Sequence, residues 1–260
     1  MIDNPDFSNT VIQLVAEPRF IAAVAIAVIS GVVRGFSGFG SALIYIPLMA
    51  AVYEPRAAAV TFVLIDVATS VSFMLDIRRH AVWREVLPLA AAAMLAAQFG
   101  TLILQYADPV ALRWAISALV SVIVAILISG WRYHGRPHIA VTVAVGLFAG
   151  VLGGAVQISG PPIIIYWLGS MQDIAVVRAN LISYFGLFSA GSVITYAAHG
   201  LITVKLLALS VLLGPLHVLS MWGGSKIFTH ASSTSYRRVA FVIIGASAIV
   251  AMPLWDKFVR

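Results

Sequence analysis

Gly31-Val-Val-Arg-Gly-Phe-Ser-Gly-Phe-Gly-Ser41 interrupts one long apolar stretch, and 119 residues later Gly150-Val-Leu-Gly-Gly-Ala-Val-Gln-Ile-Ser-Gly-Pro-Pro162 interrupts another. Both set glycine, serine and unwound backbone in sequence that otherwise suits hydrocarbon. An unpaired peptide group there costs roughly several kcal/mol, so such breaks persist only where they line a cavity or bind something. In a duplicated membrane protein, paired breaks point to the substrate site of a transporter.

The surrounding composition supports that setting. The chain of 260 residues is 61% hydrophobic and 10% charged, with a mean hydropathy of +1.01. These values exclude a soluble globular domain and predict an all-α polytopic membrane protein, a single membrane domain over residues 1–260. The apolar runs reach about 20 residues, the length a helix needs to cross ~30 Å of hydrocarbon. Barrel strands are shorter and alternate, so a barrel is excluded. The formal charge of +6 comes from 16 Lys and Arg against 10 Asp and Glu. The basic residues are scattered through loops beside apolar segments, which topology explains better than nucleic acid does. The absence of cysteine removes disulfides, thiol catalysis and cysteine-ligated metals. The N-terminus carries Asp3, Asp6 and Glu17 with no early Lys or Arg, unlike a signal peptide, so the first apolar segment is expected in the mature protein.

Long segments are predicted near 12–36, 57–77, 86–105, 110–130, 138–153, 177–198, 204–228 and 238–255. Two shorter ones, 41–53 and 161–170, follow the breaks and read as half-helices, because about 15 to 20 Å of helix does not span a bilayer. Self-comparison extends the repeat: Arg56-Ala57 matches Arg178-Ala179, Ser70-Val71 matches Ser192-Val193, and Gly100 with Arg113 matches Gly224 with Arg237. Internal repeats over 12–130 and 138–255 follow, joined near Trp131 to Pro137. The basic loops are 78–85, 131–137 and 226–238. They share one side, cytoplasmic by the positive-inside rule, if each break is a turn and each half-helix counts. That count gives five segments per half, an inverted repeat and both termini outside.

The first half-helix starts where Ser37, Gly38 and Gly40 leave backbone exposed, and a helix N-terminus carries about +0.5 charge with free N–H donors. That is an anion site, to which Ser41 adds a hydroxyl. Close helix packing through small residues is the competing reading of the glycines. In the second break Pro161 and Pro162 delete two N–H donors. Gln157, Ser159 and the peptide of Gly160 must then contribute more. Arg34 needs a carboxylate, a carbonyl or an anionic substrate to sit at depth, unless it snorkels to the interface. Asp66, in the middle of an apolar segment, is either its ion-pair partner or a proton or cation site, so coupling to protons or sodium is anticipated. Asn180 and Tyr184 share a helix face and are candidates for the cavity wall, with interhelical hydrogen bonding as the alternative. His217, beside Pro215, reads as satisfying a kinked backbone. Tyr45, Tyr166 and Trp167 read as packing or interface aromatics.

Arg34-Gly-Phe-Ser-Gly-Phe-Gly-Ser41 followed by Pro47, and Gly153-Gly154 followed by Gly160-Pro-Pro162, resemble the paired motifs of the TauE/SafE family, the sulfite exporter or toluene sulfonate uptake permeases. The resemblance spans nearly the whole chain. It implies a multi-pass permease of the bacterial inner (plasma) membrane for small sulfur-containing anions such as sulfite, sulfonates or sulfoacetate, often an exporter. The chain departs from many relatives in having Ser41 for a glycine, and Ser159 with two prolines in the second motif. A secondary transporter working by alternating access is therefore expected, with a small anion and the lipid bilayer as partners and no cofactor. The alternatives are an anion channel and a permease for another small organic anion. No acidic pair, His-Glu-x-x-His run or Gly-x-Ser-x-Gly elbow lies in the spans, so an enzyme is not expected.

Overall fold

A chain crossing hydrocarbon must close its hydrogen bonds locally, and in the computed structural model it does so with helices. The structure describes residues 7–37, 40–129, 138–169, 172–227 and 233–255. The helices are α1 (Phe7–Ala16), α2 (Pro18–Ser37), α3 (Ser41–Val52), α4 (Pro55–Ile77), α5 (Trp83–Tyr106), α6 (Pro109–Ser129), α7 (Ile139–Val156), α8 (Gly160–Leu168), α9 (Ile174–Ala198), α10 (Val204–Ile227) and α11 (Ser233–Val250). Among the described residues, α2, α4, α5, α6, α7, α9 and α10 hold the seven stretches long and apolar enough to cross a membrane. The protein is an all-α polytopic membrane protein.

Helix ends follow local chemistry. Pro18, Pro55 and Pro109 open α2, α4 and α6, where a missing N–H costs no helical bond. Asp108 and Asp173 cap α6 and α9, their carboxylates accepting from Ala111 N at 2.8 Å and Ala175 N at 3.0 Å. The expected segment 12–36 is two helices. Pro18 biases Glu17 away from helical geometry, so the chain bends there, and helix extends back to Phe7. The segment expected at 138–153 continues to Val156 and takes Gly153 and Gly154 into the helix. The last segment lies earlier than 238–255, ending at Val250 just before Pro253.

The chain divides into two compact units. One comprises residues 1–65, 108–124 and 200–260, the other 66–107 and 125–199, so each draws on both halves of the sequence. In the first unit α2 packs along α10. The helices approach so closely that a Cβ at Gly31 would strike the His217 carbonyl, one at Gly35 the Met221 carbonyl, and one at Gly224 the Val32 carbonyl. In the second unit α7 packs along α5 by the same device: Gly146, Gly150 and Gly154 face the carbonyls of Leu89, Ala93 and Ala97, and Gly100 faces that of Val151. Rising residue numbers meet rising residue numbers, so each pair runs parallel. These glycines are the close-packing surfaces of membrane helices.

In the second unit α9 also follows α5 in parallel. The Val82 N–H donates to Asn180 at one end, Gln98 donates to Thr195, and His199 lies 3.3 Å from Gln105 at the other end. Val86, Leu89, Ala93, Ala149, Ile163, Trp167, Tyr184 and Phe188 fill the core between α5, α7, α8 and α9.

Candidate functional site

The first break lies in the first unit. Helix α2 stops at Ser37, Gly40 takes a left-handed conformation (φ 94°), and α3 starts at Ser41. A side chain is strained at that φ, so glycine sets the start of the half-helix. At 12 residues, α3 is about 18 Å long, short of the bilayer. Arg34, in the last turn of α2, donates from Nη1 to Ser41 Oγ at 3.3 Å. The guanidinium thus stands between the negative end of α2 and the positive end of α3, and adds a full charge where N–H donors already favour an anion. Gly38 and the side chain of Ser37 lie outside the described residues.

The body of α3 is anchored. Tyr45 is fully buried and donates to Thr61 Oγ1 at 2.9 Å. Pro47 cannot supply the N–H that would meet the Leu43 carbonyl, and the Ser247 hydroxyl of α11 lies 3.0 Å from that oxygen, sharing its one proton with the Ile244 carbonyl at 2.7 Å. Sequence reading missed Ser247, although a proline inside an apolar helix implies a donor elsewhere. His217 reaches a neighbouring helix: its Nδ1 lies 3.1 Å from the Ala27 carbonyl of α2.

The second break lies in the second unit. Gln157 closes α7 in a left-handed conformation (φ 55°, ψ 24°) that a side chain adopts at a cost of about 1–2 kcal/mol. It is buried, and Nε2 donates at 3.0 Å to the Tyr196 hydroxyl, which donates at 2.8 Å to the Gly154 carbonyl. A left-handed residue just past the last turn is a common way to end a helix, and here its N–H closes on the Gly153 carbonyl. Ser159 precedes α8 in helical geometry and its hydroxyl does not cap the helix. Tyr184, 0% exposed, sets its hydroxyl beside Ser159. Among the described residues that hydroxyl has no hydrogen-bond partner of proper geometry. The Phe188 ring covers Gly153, and the Phe185 ring stands next to Gly160.

Asp66, 5% exposed, accepts from Ser70 Oγ at 2.6 Å and from Ser189 Oγ at 2.7 Å, both on its Oδ2. Asn180 is fully buried: Oδ1 accepts from Val82 N at 2.7 Å and Nδ2 donates to Glu85 at 3.4 Å. Glu85 is a second residue that sequence reading missed. Its carboxylate also accepts from Trp167 Nε1 at 3.2 Å and Gln172 Nε2 at 2.7 Å, joining the start of α5 to the end of α8 and to α9. It belongs to the first turn of a helix assigned from 86 onward, which hid it in a loop. Tyr166 and Trp167 are buried, with Tyr166 bonded to Thr142 at 2.6 Å, as packing aromatics would be.

The structure therefore gathers Arg34, Gly40 and Ser41 at one break, and Gln157, Ser159, Gly160 and Tyr184 at the other. Asn180 sits in the Glu85 cluster. A model of the family described as sulfite exporter TauE/SafE matches residues 23–251. A protein of Cupriavidus necator (strain ATCC 17699 / DSM 428 / KCTC 22496 / NCIMB 10442 / H16 / Stanier 337), named probable sulfite/organosulfonate exporter TauE, is 24% identical over 239 residues, covering 86% of this chain and 90% of that protein. No solved structure matches.

Proposed function

Because the chain belongs to the sulfite exporter TauE/SafE family, whose members are membrane exporters and not enzymes, we propose that it is a secondary transporter of small sulfur-containing anions such as sulfite, sulfonates or sulfoacetate. It works by alternating access, in the export direction, in a bacterial inner membrane. The observation that carries the reading is the Arg34–Ser41 hydrogen bond across the first break. It brings a fixed positive charge onto the N-terminus of a half-helix within apolar surroundings, where an oxyanion finds both charge and N–H donors.

The substrate contacts are Arg34, Ser37, Gly38, Gly40 and Ser41 at the first break. At the second they are Gln157, Ser159, Gly160 and Tyr184, with Asn180 holding the α5–α9 edge. Asp66 is the coupling-ion residue for protons or sodium. The chain is one membrane domain of two inverted repeats, 12–130 and 138–255. The parallel course of α5 and α9 supports that topology, since those helices run antiparallel if the half-helices are not counted as crossings. The matched use of Gly31, Gly35 and Gly224 and of Gly150, Gly154 and Gly100 supports the duplication.

Arg34→Gln tests the reading. At preserved expression, sulfur-anion flux into proteoliposomes falls below about a hundredth of wild type, as expected when a part-buried charge-assisted contact worth roughly 3 kcal/mol is lost. Wild-type flux removes Arg34 from the mechanism.

A further inference from the structure

Helix α4 ends at Ile77 and α5 begins at Trp83. Both hold stretches long and apolar enough to cross a membrane, so the turn between them lies at a membrane surface. Its sequence is Arg78-Arg79-His80-Ala81-Val82, with Arg84 just inside α5. Trp83 Nε1 donates to the Arg78 carbonyl at 2.9 Å and closes the turn. Arg178 stands at the same end, because the Val82 N–H donates to Asn180, two residues further along α9. Among the described residues of the second unit, these four arginines are the only lysines or arginines. All four are exposed, and among the described residues none of their guanidiniums has an ion pair or a hydrogen bond. By contrast, Arg34 and Arg113 donate to Ser41 and to the Ala251 carbonyl, and Arg19 and Lys205 meet Glu17. Two of the carboxylates at this end are engaged elsewhere, Glu85 with Trp167, Gln172 and Asn180, and Asp173 with the first turn of α9. Asp76 is exposed and offsets one of the four charges.

Beyond Arg84, α5 turns an apolar face outward. Leu87, Ala91 and Leu95 follow Arg84 at steps of three and four residues, so the four side chains line one side of the helix, and all are exposed. From Arg84 to Leu95 the helix rises roughly 16 Å, about the depth of one leaflet. Unpaired guanidiniums at the level of the headgroups, above an apolar track one leaflet deep, match the polarity and length of a phospholipid. We propose that the α4–α5 turn binds an anionic phospholipid of the adjoining leaflet, its phosphate on Arg78, Arg79 and Arg84 and an acyl chain along Leu87, Ala91 and Leu95. A guanidinium fork fits phosphate oxygens in a bidentate way, and the ammonium of a zwitterionic headgroup would be repelled by the neighbouring arginines. The positive-inside rule assigns this turn to the cytoplasmic side, where the leaflet carries a negative surface potential. The assignment does not depend on which anion the protein carries.

Titration of the purified full chain in detergent with short-chain phosphatidylglycerol and phosphatidylcholine, read by native mass spectrometry, tests this. Phosphatidylglycerol should bind more tightly by about tenfold or more, since each arginine near an anionic surface contributes about fivefold. Arg84→Gln alone should lower that ratio about fivefold, and the triple variant Arg78→Gln, Arg79→Gln, Arg84→Gln should bring it to about one. The single variant changes little charge and keeps the test open where the triple variant fails to fold. Glycerol phosphate at the same concentration should leave the lipid bound, because it has no chain to lie on α5. A wild-type ratio of about one, or variants that keep the wild-type ratio, would overturn the proposal. Displacement of the lipid by glycerol phosphate would make this a site for free anions and overturn the lipid assignment.

Discussion

A guanidinium or a carboxylate at membrane depth is kept only where it is compensated. Arg34 reaches a half-helix N-terminus through Ser41, whereas Asp66 gathers the hydroxyls of Ser70 and Ser189 on a single oxygen. If Asp66 carries the coupling ion, Asp66→Asn should leave exchange of internal for external substrate running while abolishing the acceleration by an imposed proton or sodium gradient. An unchanged gradient response would remove it from coupling. Ser247 offers a stability counterpart. Ser247→Ala removes the hydroxyl shared by the Leu43 and Ile244 carbonyls, and should cost about 1–3 kcal/mol, read as a lowered thermal midpoint in detergent with substrate selectivity unchanged. Both ionisable residues stood out from the sequence, because charge in an apolar run is conspicuous. Ser247 and Glu85 did not, because their roles depend on which helix lies opposite.

At the scale of the element, the two breaks and the two half-helices were legible to within a few residues, since glycine, proline and short apolar runs act locally. The packing glycines were not separable from the binding ones by composition. Gly31, Gly35, Gly150 and Gly154 lie against carbonyls of α10 and α5, while Gly40 and Gly160 lie at half-helix starts. Gly154→Leu should therefore force α7 from α5 and destabilise by several kcal/mol, roughly beyond the 1–3 kcal/mol of ordinary overpacking because the neighbour is backbone. Loss of folded protein in size-exclusion analysis checks it. Gly35→Leu should do the same to α2 and α10. The split at Glu17–Pro18 was missed because hydropathy continues across it, although the proline marks it.

For the whole molecule, the sequence suggested a repeat, and the structure adds that each compact unit takes helices from both halves. Contacts that distant along the chain are set by tertiary packing and leave no local signature. The absence of cysteine makes the proposed inverted arrangement directly testable. Single cysteines at His80 and His199 should label from opposite sides of the membrane, and labelling from one side would contradict ten crossings. Function is less legible than fold, because a half-helix terminus specifies charge and size but not a compound. The central claim, that this chain exchanges sulfur oxyanions, is tested most directly by counterflow in proteoliposomes loaded with sulfite, taurine, isethionate or sulfoacetate. Saturable counterflow of at least one of them, abolished by Arg34→Gln, is the predicted result; no counterflow of any of them, or unitary currents in its place, would contradict it.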